Sequence, residues 1–154
     1  MQIISAGRGT GKSMYVKMLS NAYLLVDFAV LKVAIIVVPN ILANKVENYK
    51  KCNYTFSEAE ILSGTYKDRF NKGCQFSFIF EEPAYFDNFP KTLGTVKLSN
   101  TLLVIGTPTN ATYGKDFKKF LRKHKSDVIR WVSPARLPEQ EDYATQVCGE
   151  FEEI

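Results

Sequence analysis

The chain has 154 residues, 45% hydrophobic and 23% charged, with a formal net charge of +4, values that are ordinary for one globular domain with a buried core. It contains three cysteines, none in a C-x-x-C spacing, and one histidine, which argues against a zinc site and favours reduced thiols. The most apolar stretch, residues 22–38, is interrupted by Asp27 and Lys32, so we interpret it as a helix end followed by a buried strand and not as a membrane span.

The chain begins with an apolar segment, Gln2–Ala6, that predicts the first strand, and a glycine-rich loop follows it. The loop matches the pattern G-x-x-x-x-G-K-[ST] with alanine at its first position. Its residues are Ala6, Gly7, Arg8, Gly9, Thr10, Gly11, Lys12 and Ser13. The glycines let backbone N–H groups surround phosphate oxygens, and the next helix directs its positive N-terminus at them. Lys12 is expected to reach the β- and γ-phosphates and Ser13 to ligate Mg²⁺. This pattern predicts nucleotide binding; an ordinary glycine-rich turn is the alternative.

Helices and strands alternate after the loop. A 3.6-residue apolar period predicts a helix over residues 12–29. The β-branched run Lys32–Val38 predicts a strand that is buried on both faces of a parallel sheet. Three further segments follow: a helix over 41–50, a helix over 57–62 capped by Ser57 and Glu60, and a polar loop over 65–73.

Two adjacent acids end the next predicted strand, residues 75–80. An apolar strand followed by Glu81 and Glu82 is the Walker B pattern. In such sites the first acid holds Mg²⁺, usually through water, and the second polarises the water that attacks the γ-phosphate. Hydrolases need this second carboxylate and simple P-loop kinases do not. The alternative interpretation is an exposed acidic turn.

The following strand, residues 101–105, ends in Gly-Thr-Pro-Thr. A hydroxyl of Thr107 or Thr109 at this place could sense the γ-phosphate or the attacking water. A turn stabilised by proline, with threonine as a spacer, explains the segment equally well.

The last part of the chain is basic and then acidic. An amphipathic helix is predicted over 115–124 and a fifth strand over 128–132. Residues 115–136 contain eight lysines and arginines against two aspartates, and no basic residue follows them. We therefore divide the chain into a core, 1–136, and an acidic tail or linker, 137–154. The basic segment indicates a polyanion contact, with a solvated helix face as the alternative. The whole pattern predicts an α/β fold with a parallel sheet flanked by helices, and ligands beyond the carboxyl ends of its strands.

With these elements in order, the chain resembles the ATPase domain of the large terminase subunit, the DNA-packaging motor of tailed bacteriophages. An arginine at the position of Arg8 is a feature of that family's loop, G-G-R-G-S-G-K-S. The matching segments are AGRGTGKS at 6–13, KVAIIVVPN at 32–40, FIFEEPA at 78–84, LLVIGTPT at 102–109 and YATQVCGEF at 143–151.

The resemblance implies a P-loop NTPase with an additional strand and a catalytic glutamate, which binds ATP and Mg²⁺ and hydrolyses ATP. By position, Lys12 and Ser13 would bind phosphate and Mg²⁺, Glu81 would hold Mg²⁺ and Glu82 would be the catalytic base. Arg8 would contact the γ-phosphate, and Thr107 would couple hydrolysis to motion.

The implied biological role is translocation of double-stranded DNA into a viral capsid by a homo-oligomeric ring. The implied partners are a viral portal and a small-terminase or nuclease component, with no membrane partner, in the cytoplasm of the host cell. The chain departs from the family in three respects: it has no upstream adenine-contacting Gln motif, no nuclease carboxylate cluster follows, and Pro83 replaces the usual alanine. Two alternatives remain open, a small P-loop nucleotide or metabolite kinase and a non-catalytic nucleotide-binding assembly module.

Overall fold

The computed structural model describes residues 1–7, 9–25, 32–43, 54–109 and 111–132. Within these ranges the chain has an α/β fold in which six strands form one parallel sheet, in the order β3-β2-β4-β5-β1-β6. The strands are β1 (Gln2–Ala6), β2 (Lys32–Val38), β3 (Thr55–Ser57), β4 (Gln75–Glu81), β5 (Thr101–Gly106) and β6 (Val128–Trp131).

Helices cover both faces of the sheet. They are α1 (Lys12–Leu25), α2 (Asn40–Ala43), α3 (Glu58–Ser63), α4 (Phe89–Val96) and α5 (Lys115–Lys123), with short 3₁₀ helices between them. Side chains alternate between the two faces along each strand. One face of the sheet therefore packs against α1 through Val16, and the other packs against α3, α4 and α5 through Ile61, Phe89 and Phe117. No described helix is both long and apolar enough to cross a membrane.

The five predicted strands are present, and the predicted helix cap at Ser57 is confirmed. The Ser57 hydroxyl accepts a hydrogen bond from the backbone N–H of Glu60, and the Glu60 carboxylate accepts one from the backbone N–H of Ser57. Three segments differ from expectation: β3 and α4 were not predicted, and the stretch interpreted as a loop begins with a 3₁₀ helix, Thr65–Arg69. Arg8, the ends of the predicted helices over 26–29 and 44–50, and the tail 137–154 lie outside the described residues.

A buried carboxylate joins the segments that follow three strands at the carboxyl edge of the sheet. Glu58, only 1% exposed, accepts backbone hydrogen bonds from Asn40 at 3.4 Å, Asp87 at 2.8 Å and Asn88 at 3.4 Å. The Asn40 side chain adds a bond to Asp87 at 2.9 Å and accepts one from the backbone N–H of Ala59 at 3.0 Å. Because these segments follow β2, β3 and β4, Glu58 sets the distances between three strand ends.

We predict that Glu58→Gln lowers the free energy of unfolding by about 2 kcal/mol, because an amide group replaces a charged acceptor that faces N–H donors. The matched control is Glu60→Gln on the same helix, where glutamine serves the capping box equally well and the side chain is exposed. Urea unfolding of both variants measures the difference. Equal stability of the two variants would contradict the role given to Glu58.

Candidate functional site

The glycine-rich loop leaves the end of β1 and is tied to its surroundings by its own backbone. The Gly7 N–H donates to the Trp131 carbonyl at 2.8 Å, which extends the pairing of β1 with β6. This N–H is therefore not available to a phosphate, in contrast to the expectation that Gly7 turns it inward. The Thr10 hydroxyl donates back to the Gly7 carbonyl at 2.7 Å and closes the turn.

Two loop glycines adopt the left-handed backbone conformation. Gly9 has φ of 72° and Gly11 has φ of 86°, and a Cβ at either position would meet nothing within 4 Å. Glycine is thus needed here for the backbone angle and not for space. The Gly11 carbonyl accepts the Tyr15 N–H at 3.1 Å, so the loop runs directly into α1. The N–H groups of the first turn of that helix lack intrahelical partners and are directed toward the loop.

The first acid of the predicted pair meets the serine of the loop. The Ser13 hydroxyl donates to the Glu81 carboxylate at 2.9 Å. Glu81 is the last residue of β4 and is 2% exposed. It lies two residues beyond Ile79, whose side chain is on the face covered by α1. Alternation along the strand therefore places the Glu81 side chain under the start of α1.

The second acid meets the lysine of the loop. Lys12 Nζ and Glu82 Oε1 are 3.3 Å apart, and the two side chains are 13% and 14% exposed. The Glu82 N–H still bonds to the Ile105 carbonyl at 2.9 Å, but the residue has φ of 57° and ψ of 53°. This left-handed conformation costs a non-glycine residue roughly 1–2 kcal/mol, and it turns Glu82 away from the strand while Glu81 stays on it.

Pro83, the departure noted in the sequence, packs against the end of β5. A Cβ on Gly106 would lie 2.6 Å from Pro83 Cδ and 3.2 Å from Phe117 Cε2. Only a glycine allows the backbone of β5 to come this close to the ring that follows Glu82. Sequence reasoning passed over Gly106, although a glycine at the end of a buried strand is a known signal of close backbone approach.

The two threonines after β5 have different environments. The Thr107 hydroxyl is buried and has no hydrogen-bond partner among the described residues. The Thr109 hydroxyl accepts the Ala111 N–H at 3.1 Å, and its methyl group packs on Gly114. Thr109 therefore stabilises a turn, and the Thr107 hydroxyl keeps its hydrogen-bonding capacity.

The structure thus brings four of the predicted site residues into two contacts, Ser13 with Glu81 and Lys12 with Glu82. Ala6 lies buried at the end of β1. Among the described residues no group of three or more His, Cys, Asp or Glu side chains could hold a metal ion. The oxygens of Ser13 and Glu81 are nevertheless the kind of ligands that Mg²⁺ takes from a protein when substrate phosphates and water supply the rest.

Comparison of the chain with protein-family models, with curated proteins and with solved structures finds no significant match. The interpretation of the site therefore depends on its geometry.

We predict that Gly106→Ala lowers the free energy of unfolding by about 1–3 kcal/mol, because the added methyl group overlaps Pro83 and forces a shift. The matched control is Gly94→Ala in α4, where an added Cβ meets nothing within 4 Å. Alanine at that helical position should stabilise the protein by about 0.5–1 kcal/mol. Urea or thermal unfolding compares the two, and a stable Gly106→Ala variant would disprove the close packing of Pro83.

Proposed function

We propose that this chain is a P-loop ATPase that hydrolyses ATP with the help of Mg²⁺ and that it serves as the motor domain of a terminase-type DNA-packaging machine. One observation carries the proposal. Consecutive residues at the start of α1, Lys12 and Ser13, contact consecutive acids at the end of β4, 3.3 Å and 2.9 Å away. This pairing is the one that a phosphate-binding loop needs, with its lysine and its Mg²⁺-binding serine beside the acids at the end of β4.

The strand order supports the finer architecture that the resemblance implies. Strand β5 lies between β1, which leads into the loop, and β4, which ends in the acids. The additional strand of a P-loop NTPase with a catalytic glutamate takes this central place. Ligands of open parallel sheets bind beyond the carboxyl ends of the strands, and the loop and the two acids lie at that edge.

The contact between Ser13 and Glu81 fits a magnesium ion. The serine hydroxyl and the carboxylate share a hydrogen bond of 2.9 Å, so these are the two side chains that would hold the ion. The ion would supply positive charge that offsets the negative charge of the phosphate oxygens. The backbone N–H groups of the first turn of α1 hold the phosphates from the other side.

The contact between Lys12 and Glu82 indicates that ATP binds before Glu82 acts as the base. A triphosphate is a stronger partner for the Lys12 ammonium group than one carboxylate, because it offers more charge and more acceptor oxygens. ATP binding therefore moves Lys12 from Glu82 to the phosphates and releases the Glu82 carboxylate. The released carboxylate then accepts the proton of the attacking water. The Thr107 hydroxyl, which has no partner among the described residues, is available to bond the same water or the γ-phosphate.

Helix α5 carries the basic residues that we propose contact DNA. Phe117 and Leu121 of this helix are buried, and the opposite side exposes Lys115, Lys119, Arg122 and Lys123. A row of exposed cations can bind the phosphate backbone of double-stranded DNA and does not read its sequence.

We further propose that the protein works as a homo-oligomeric ring in the host-cell cytoplasm, with a portal and a small-terminase or nuclease component as partners.

We predict that Glu82→Gln keeps ATP binding, at equal or tighter Kd, and lowers turnover by ~10²-fold or more, the scale expected for loss of a general base. Binding persists because the amide no longer competes for Lys12. Lys12→Ala should instead lose ATP binding. Fluorescent-nucleotide binding and phosphate release, each with and without double-stranded DNA, measure both effects.

The control for this pair is Glu60→Gln, which makes the same chemical change at an exposed position. Normal phosphate release by Glu82→Gln would remove Glu82 from the role of base. Phosphate transfer to a small acceptor in place of release would favour a nucleotide or metabolite kinase. Absence of turnover in the wild type with DNA present would favour an assembly module.

We predict that Thr107→Val leaves stability unchanged or slightly higher and lowers turnover by about tenfold, the equivalent of one hydrogen bond lost in the transition state. Thr55→Val is the matched control, because the Thr55 hydroxyl is also buried without a partner among the described residues, in the edge strand β3. Thermal unfolding and phosphate release are compared for both. Equal turnover in the two variants would show that the Thr107 hydroxyl takes no part in the reaction.

A further inference from the structure

A cavity lies at the edge of the sheet opposite the glycine-rich loop. Its volume is about 620 Å³, within the range of small-molecule sites. We call it the lysine cavity; its lining residues include Lys32, Tyr66, Lys67, Gln75, Lys97 and Asn100. Lys32 and Gln75 are the first residues of β2 and β4. Because Glu81 ends the same strand six residues later, the cavity is about 20 Å from the loop.

The lysine cavity combines an apolar floor with a basic rim. Tyr66 and Phe78 are buried at 6% and 3% exposure, whereas Lys67, Lys97 and Asn100 are exposed. Three of the lining residues that the structure describes are lysines and none is acidic. Ammonium donors over a floor of aromatic rings suit a ligand that carries phosphate on an organic body.

Lys97 is held on this rim in a backbone conformation that only glycine adopts without strain. Its φ is 72° and its ψ is 144°. The N–H donates to the Leu93 carbonyl at 2.9 Å, and the Lys97 carbonyl accepts from the Asn100 N–H at 3.2 Å and the Thr101 hydroxyl at 3.0 Å. The surrounding turn thus imposes the conformation. A lysine at a place where glycine would relieve strain points to a use for its side chain.

We infer that the lysine cavity binds phosphate groups, with Lys67 and Lys97 as their principal partners. Each lysine comes from a different connection, Lys67 from the 3₁₀ helix after α3 and Lys97 from the turn after α4. Two ammonium groups from separate segments can hold a polyphosphate or two neighbouring phosphates. The source is either a small phosphorylated molecule or the backbone of a nucleic acid. The inference does not depend on ATP hydrolysis at the loop.

The test is calorimetric titration of the full chain with sodium tripolyphosphate in EDTA. The wild type should show one class of site at the loop and a second at the lysine cavity. Lys67→Ala/Lys97→Gly should lose the second class, or weaken it at least tenfold, and keep the first. Lys72→Ala/Lys91→Ala is the matched control, because it removes the same charge from exposed lysines that do not line the cavity, and it should keep both classes.

Lys12→Ala separates this inference from the proposed function. This variant should lose the tripolyphosphate site at the loop and keep the site at the lysine cavity. Thermal unfolding should place Lys67→Ala/Lys97→Gly at or above the wild-type Tm, because glycine relieves the strained backbone. A variant that unfolds at a lower temperature would contradict the strain at Lys97. Tripolyphosphate binding in Lys67→Ala/Lys97→Gly that matches the wild type in number and affinity would overturn the inference.

A labelled short DNA duplex then identifies the source of the phosphate. If Lys67→Ala/Lys97→Gly weakens binding of the duplex as well as binding of tripolyphosphate, the ligand is a nucleic-acid backbone. The slope of log affinity against log salt concentration should then become shallower by about two units. If it weakens tripolyphosphate alone, the ligand is a small phosphorylated molecule. Both results support phosphate recognition by the lysine cavity.

Discussion

Strand β5 is hydrogen-bonded to β1 on one side and to β4 on the other, and this insertion controls the geometry of the site. Ile105 pairs with Ile4 of β1 and with Glu81 of β4, so the loop and the acids start about 10 Å apart, two strand spacings. The loop must cross over β5 before α1 can pack on β2 and β4. Ser13 and Lys12, at the start of that helix, therefore arrive above the two acids. A sheet with β1 and β4 as direct neighbours would have no such crossing.

The polar contacts at the carboxyl edge compensate for strained or buried groups that the fold retains there. Glu82 keeps a left-handed backbone next to a proline, and the Lys12 ammonium lies beside its carboxylate. The Glu58 carboxylate is buried but accepts hydrogen bonds from three backbone N–H groups. These bonds offset the free-energy cost of removing the carboxylate from water. The backbone of Lys97, at the opposite edge of the sheet, is also strained. Among the described residues, no contact of the Lys97 side chain is seen that would offset this strain. Strain that persists in this way commonly marks places where a protein binds or reacts.

Much of the fold could be predicted from local patterns, and the failures have local causes. β1 and β2 were predicted with their observed bounds, because runs of apolar and β-branched residues end in Gly or Pro. β3 has only three residues and no alternation to detect. α4 contains Pro90 and Gly94, which usually indicate a break. Here the proline lies in the first turn, where its missing N–H does no harm, and Asn88 caps the helix. Gly106 was missed because its importance is a contact with Pro83, twenty-three residues away in the chain.

The sequence by itself determined the local chemistry: glycines that can take positive φ, a lysine and a serine at a helix start, and two acids at a strand end. Only the tertiary structure decided that Ser13 meets Glu81, that Lys12 meets Glu82, that the Gly7 N–H is used by β6 and that the Thr107 hydroxyl is buried without a partner among the described residues. The reason is that the central strands are hydrophobic on both faces, so each could occupy any central place in a parallel sheet. Strand order is selected by the summed packing of α1 on one face and α3, α4 and α5 on the other, and no single segment contains that information.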